Sequence, residues 1–119
     1  MKALLISKDL MFITRVKEVA QAKGGAVLVA KNEAALESAA TELKEEASGV
    51  VLVDLERCPV SLDRIQEIIS ELPRAAWRIV SFYSHVHVDT AADARARDLG
   101  EVLPRSKFVQ LLPQLFGAI

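Results

Sequence analysis

The stretch Val50-Val51-Leu52-Val53-Asp54 decides how this chain folds. Four consecutive aliphatic residues without alternation suit a strand whose two faces are both covered, as at the centre of a parallel sheet flanked by helices. Asp54 then emerges at the carboxyl end of the strand, the edge of an open α/β sheet where ligands and chemistry collect. Two readings stand open from position alone. Asp54 is either a functional carboxylate in a crevice or an aspartate that opens the next turn by accepting backbone N–H groups.

Toward the amino terminus, Lys2 to Ile6 reads as a first strand, followed by Phe12, Val16, Val19 and Ala20 at helical spacing until Gly24-Gly25. Asp9 precedes that helix and suits its N-cap. Ala26 to Ala30 is a second strand, and Asn32 caps a helix over 33–45 whose apolar stripe is mostly alanine, so that it packs closely and buries little area.

Toward the carboxyl terminus, Ser61 caps a helix carrying Leu62, Ile65, Ile68, Ile69 and Leu72, which Pro73 ends. Arg78 to Tyr83 forms a fourth strand leading into Ser84-His85-Val86-His87, and a helix over 90–99 closes on Gly100. Val102-Leu103 is a short fifth strand before Pro104. Ser106 is expected to cap a last helix with Phe108, Leu111, Leu112 and Leu115 on one face, kinked or ended early by Pro113. A strand followed by a helix, repeated five times, predicts a flavodoxin-like α/β fold: a doubly wound parallel sheet in the order 2-1-3-4-5. That order brings Ser7-Lys8-Asp9 and Asp54 to one crevice, bordered by Ser84 and Arg105.

The 119 residues suffice for one domain, residues 1–119, and leave no room for a second core. Fifteen basic residues against sixteen acidic, with no Lys/Arg stripe, argue against a nucleic-acid partner. The first apolar run is broken at Ser7-Lys8-Asp9, too early for a signal peptide, and no membrane partner is expected. Cys58 is the single cysteine, which excludes an internal disulfide and agrees with a cytoplasmic location. His85 and His87 alternate along an extended segment with no third ligand near in sequence, and read as loop histidines, not a metal site. No glycine-rich phosphate loop follows the first strand, which counts against a small flavodoxin-like or cofactor-binding enzyme domain.

At this point the chain resembles the receiver domain of two-component response regulators over essentially its whole length. The resemblance rests on the aliphatic strand ending in Asp54-Leu55, on the hydroxyl of Ser84, and on Leu103-Pro104-Arg105-Ser106-Lys107-Phe108, where the family has a Lys-Pro pair followed by an aromatic. It implies a central aspartate, here Asp54, that attacks a phosphohistidine in line while Mg²⁺ neutralises the developing charge. It further implies that Ser84 is the switch hydroxyl, with Tyr83 competing for the position, and that Arg105, or Lys107 in a shifted register, stands for the family's lysine.

The chain departs from that pattern where the metal is anchored. The acidic pair falls on Ser7 and Lys8, with Asp9 following. A hydroxyl and an ammonium cannot hold a hard divalent cation as two carboxylates do. The expectation is therefore an atypical, pseudo-receiver domain with no cofactor, in which Lys8 forms an ion pair with Asp54. It would be a protein-interaction module, not an enzyme. It would contact a sensor kinase or downstream regulator, or a second copy, through the face of the fourth helix, fifth strand and fifth helix. The alternative is a working phosphoacceptor at Asp54 with weak Mg²⁺ held by Asp9.

Overall fold

Strand β3 (Gly49–Asp54) is buried along its full length in a computed structural model, which describes residues 2–46, 48–73, 76–84 and 88–117. His85 and His87 lie outside the described residues. On one side β3 pairs in parallel with β1 (Lys2–Ile6), itself flanked by β2 (Ala26–Ala30). On the other it pairs with β4 (Trp77–Tyr83), flanked by β5 (Glu101–Pro104). The sheet order is β2-β1-β3-β4-β5, all parallel.

The unalternating apolar runs are explained by what lies above and below them. Leu4, Ile6, Val51 and Val53 face one layer with Leu36 and Leu43 of α2 (Glu33–Leu43) and Ile65 and Ile69 of α3 (Leu62–Ser70). Ala3, Leu5, Val50 and Leu52 face the other with Phe12 and Val16 of α1 (Leu10–Ala22) and Phe108 and Leu112 of α5 (Arg105–Gly117). Because side chains alternate along a strand, a strand between two layers must be apolar at every position. The second layer holds an aromatic cluster, with the Phe82 and Phe108 rings stacked 4.2 Å apart between centroids and Phe12 4.8 Å from Phe82.

Helix starts follow the expected caps in three cases. The side chains of Asp9, Asn32 and Ser61 accept from the amides of Phe12, Ala35 and Arg64. The carboxyl-terminal third differs from the sequence reading. Helix α4 (Val88–Ala96) ends before Leu99, and the chain turns through Asp98 and Gly100, both at positive φ, to reach β5. Ser106 is not a cap, because α5 begins directly after β5 at Arg105. Pro104 belongs to β5, an edge strand, where a residue without an N–H costs the ladder least. Pro113 neither ends nor shortens α5, which continues with Leu115 and Phe116 buried.

Several surface charges link the ends of neighbouring helices. Arg97 bonds Asp93 within one turn and reaches Asp63 of α3, and Lys44 pairs with Glu71. Among the described residues no helix is long and apolar enough to cross a membrane.

Candidate functional site

The parallel register of β1 and β3 sets Ile6 beside Val53, so the next residues, Ser7 and Asp54, meet at the carboxyl edge of the sheet. Both are fully buried. The Ser7 hydroxyl donates to Asp54 Oδ2 at 2.7 Å. The other oxygen, Oδ1, accepts from the amides of Glu56 and Arg57, each at 3.0 Å, and so shapes the turn after β3. A buried carboxylate is tolerable only with such donors, and these bonds to a charged acceptor are among the stronger ones in a protein. Ser7 Oγ in turn accepts from the Asp9 amide at 3.0 Å, so one hydroxyl joins β1, β3 and the start of α1.

The expected Lys8–Asp54 ion pair is not formed. Ser7, not Lys8, stands in register with Asp54, and the Lys8 amide donates to the Arg57 carbonyl at 3.0 Å while its side chain is exposed. A hydroxyl closes the buried carboxylate without the desolvation that an ammonium would suffer there.

A different cation enters the crevice. Arg105, the first residue of α5, directs Nη2 to Asp9 Oδ2 at 3.1 Å and Nη1 toward Glu56 Oε2 at 3.7 Å. Its guanidinium carbon lies 4.5 Å from the centroid of the Phe12 ring, a cation–π arrangement on the aromatic cluster. Asp9 carries two duties, since Oδ1 caps α1 through the Phe12 amide while Oδ2 receives Arg105. The Phe12 amide first, and Arg105 second, hold the Asp9 carboxyl below its ordinary range.

Two open depressions flank Arg105. One is lined by Glu56, Ser84, Pro104 and Ser106, the other by Asp9, Met11, Phe12, Arg15 and Val109. Ser84 is thus brought to the crevice beside Arg105, whereas Tyr83 lies next to Arg95, whose guanidinium carbon is 5.9 Å from its ring centroid. Cys58 donates its thiol to the Val60 carbonyl at 3.1 Å, and burial raises its pKa. Sequence reasoning missed Glu56 and Phe12 as partners of Arg105, and missed the bond from Ser7 to Asp54. Only the acidic position two residues after Asp54 was visible as a signal.

These residues do not fit a Mg²⁺ ion, which demands several oxygen donors in near-octahedral array. After β1 stand the Ser7 hydroxyl, committed to Asp54, and the Lys8 ammonium, and the Arg105 guanidinium lies between Asp9 and Glu56. Among the described residues no three of His, Cys, Asp and Glu gather as metal donors.

No protein-family model matches the chain, and no curated protein matches it in sequence. Solved structures do match in fold. The beryllofluoride-activated receiver domain dimer of NtrC4 superposes with a TM-score of 0.67 at 18% identity, covering 97% of this chain and 95% of that one. A response regulator from Thermotoga maritima gives 0.66 at 18% identity, covering 95% and 97%. With its strand order and its aspartate at the end of the central strand, the chain has the receiver-domain fold over nearly its whole length.

Proposed function

We propose that this chain is a receiver-type regulatory module of two-component phosphorelay signalling, acting in the cytoplasm through protein contacts and without catalysis. Asp54 serves it as an internal structural anchor instead of a phosphoacceptor. The observation that carries this reading is the state of the Asp54 carboxylate, which has no exposed surface and is bonded on both oxygens. In-line attack on a phosphoryl group needs a carboxylate oxygen open to the donor and a cation to take up the developing charge. One oxygen is bonded by Ser7 and the other by the amides of Glu56 and Arg57, and the donor set does not suit Mg²⁺.

The contact surface in this reading is the face of α4, β5 and α5, where Val102, Leu103 and Val109 are only partly buried. The matched NtrC4 receiver domain is a dimer, which supports self-association as one mode of contact. The test is direct. The protein is incubated with acetyl phosphate, and separately with beryllofluoride, each with Mg²⁺, and followed by intact mass and amide NMR. We expect no phosphoryl adduct and no shifts around Asp54. A stoichiometric adduct that Asp54→Asn abolishes would return the chain to the phosphorylated switches.

A further inference from the structure

The crevice at the carboxyl edge of β1 and β3 holds two partly exposed carboxylates, on Asp9 and Glu56, and the guanidinium of Arg105 between them. We propose that Arg105 is the resident cation of this crevice: a side chain of the protein takes the charge-balancing place of a divalent ion and keeps such ions out. The inference deepens the functional reading above and rests on it only for its regulatory meaning.

Three observations carry it. Arg105 is held from two sides, by Asp9 at 3.1 Å and toward Glu56 at 3.7 Å, so its charge answers acids from both α1 and the turn after β3. Its position is further fixed by the Phe12 ring beneath it, with 4.5 Å between the guanidinium carbon and the centroid. A planar guanidinium suits both contacts at once, and an ammonium in its place would lose the fork but keep the positive charge that excludes a divalent ion. Finally, Arg105 opens α5 directly after β5, with Phe108 one turn on and locked in the aromatic cluster, so the cation is delivered by a rigid element and not by a loop.

A tethered cation has a consequence that a bound ion lacks. A divalent ion comes and goes with its concentration, whereas Arg105 is present at every concentration. The link from α1 to the start of α5 is therefore permanent under all metal conditions, and the module presents one arrangement to its partner.

The test is a Mn²⁺ titration of the wild-type protein and of Arg105→Gln, Arg105→Lys and Lys8→Gln, with paramagnetic broadening of the Asp9, Glu56 and Leu55 amides as readout. We expect no saturable broadening in the wild type, in Arg105→Lys or in Lys8→Gln. Arg105→Gln should gain a saturable site at the crevice, roughly tenfold or more tighter than any wild-type response, because two carboxylates lose their internal counterion. Saturable Mn²⁺ binding by the wild type at these amides overturns the proposal. So does a gain confined to Lys8→Gln, which would make Lys8 the excluding charge. Should Arg105→Gln fail to fold, the wild-type and Arg105→Lys titrations still decide, since saturable broadening in either contradicts a resident cation. The outcome is separable from the functional reading. Phosphorylation of Asp54 without Mn²⁺ binding would sink that reading and leave this one standing, and Mn²⁺ binding without phosphorylation would do the reverse.

Discussion

Ser7 and Asp54 sit side by side on neighbouring strands, with the serine hydroxyl 2.7 Å from a carboxylate oxygen that has no access to solvent. Replacing Ser7 by Ala leaves that oxygen buried without its side-chain donor. We expect Ser7→Ala to lower stability by about 2–3 kcal/mol, the cost of an unsatisfied buried charged acceptor. Urea denaturation with an unchanged slope is the measurement. A loss within error would mean that water takes the place of the hydroxyl.

Asp9 gives the protein an acid-sensitive element. The Phe12 amide, and then Arg105, lower its pKa in the folded state. The unfolded carboxylate titrates at about 4, so the stabilisation is complete above that value and is lost as pH falls through the lower folded value. Asparagine caps helices as well as aspartate does but carries no charge. Asp9→Asn should therefore fold at neutral pH and show a shallower loss of stability on acidification than the wild type. Parallel pH–stability curves would refute the assignment.

Gly100 and Gly24 both adopt a φ of +75°, yet they should respond very differently to alanine. At Gly24 an added Cβ meets nothing within 4 Å, and only the left-handed backbone cost of about 1–2 kcal/mol applies. At Gly100 it would run into the Ile79 carbonyl group, in the turn that brings β5 alongside β4. Gly100→Ala should exceed Gly24→Ala by at least ~1 kcal/mol in loss of stability. Equal losses in thermal unfolding would contradict the close approach.

Phe108 is fully buried and stacked on Phe82 at 4.2 Å. Truncation to Ala should cost about 3–5 kcal/mol, the range for emptying an aromatic site in a core. The same change should loosen the platform under Arg105, read as faster exchange of the Arg105 side-chain N–H protons. If exchange is unchanged in a folded variant, the aromatic cluster does not support the guanidinium.

Cys58 should be a slow thiol. Burial raises its pKa first, with the Asp54 charge adding to the effect, and the thiolate is the reactive form. Alkylation by iodoacetamide at neutral pH should lag well behind that of the urea-unfolded chain, as followed by mass spectrometry. Equal rates would show that the thiol is open.

The architecture was legible because its signals are local. The unalternating run into Asp54, the alanine stripe of α2 and the caps at Asp9, Asn32 and Ser61 each report the burial or end of a single element, and the order of five such pairs restricts the sheet. The region around β5 was harder to read. Pro104, Ser106 and Pro113 carry strong local preferences, but an edge position and a buried apolar face outweighed them.

The sequence by itself determined the layers, the strand order and the residues that gather at the crevice, with Ser7, Lys8 and Asp9 following β1 and Asp54 ending β3. Which cation the crevice holds was decided only by the tertiary structure. Lys8 is near Asp54 in the topology, but strand register delivers Ser7 to the carboxylate, and Arg105, almost a hundred residues away from Asp9, arrives from the start of α5 after the edge strand β5. Partners of a buried or half-buried charge are chosen by geometry across strands and by the cost of leaving water, and neither is written in the spacing of residues along the chain.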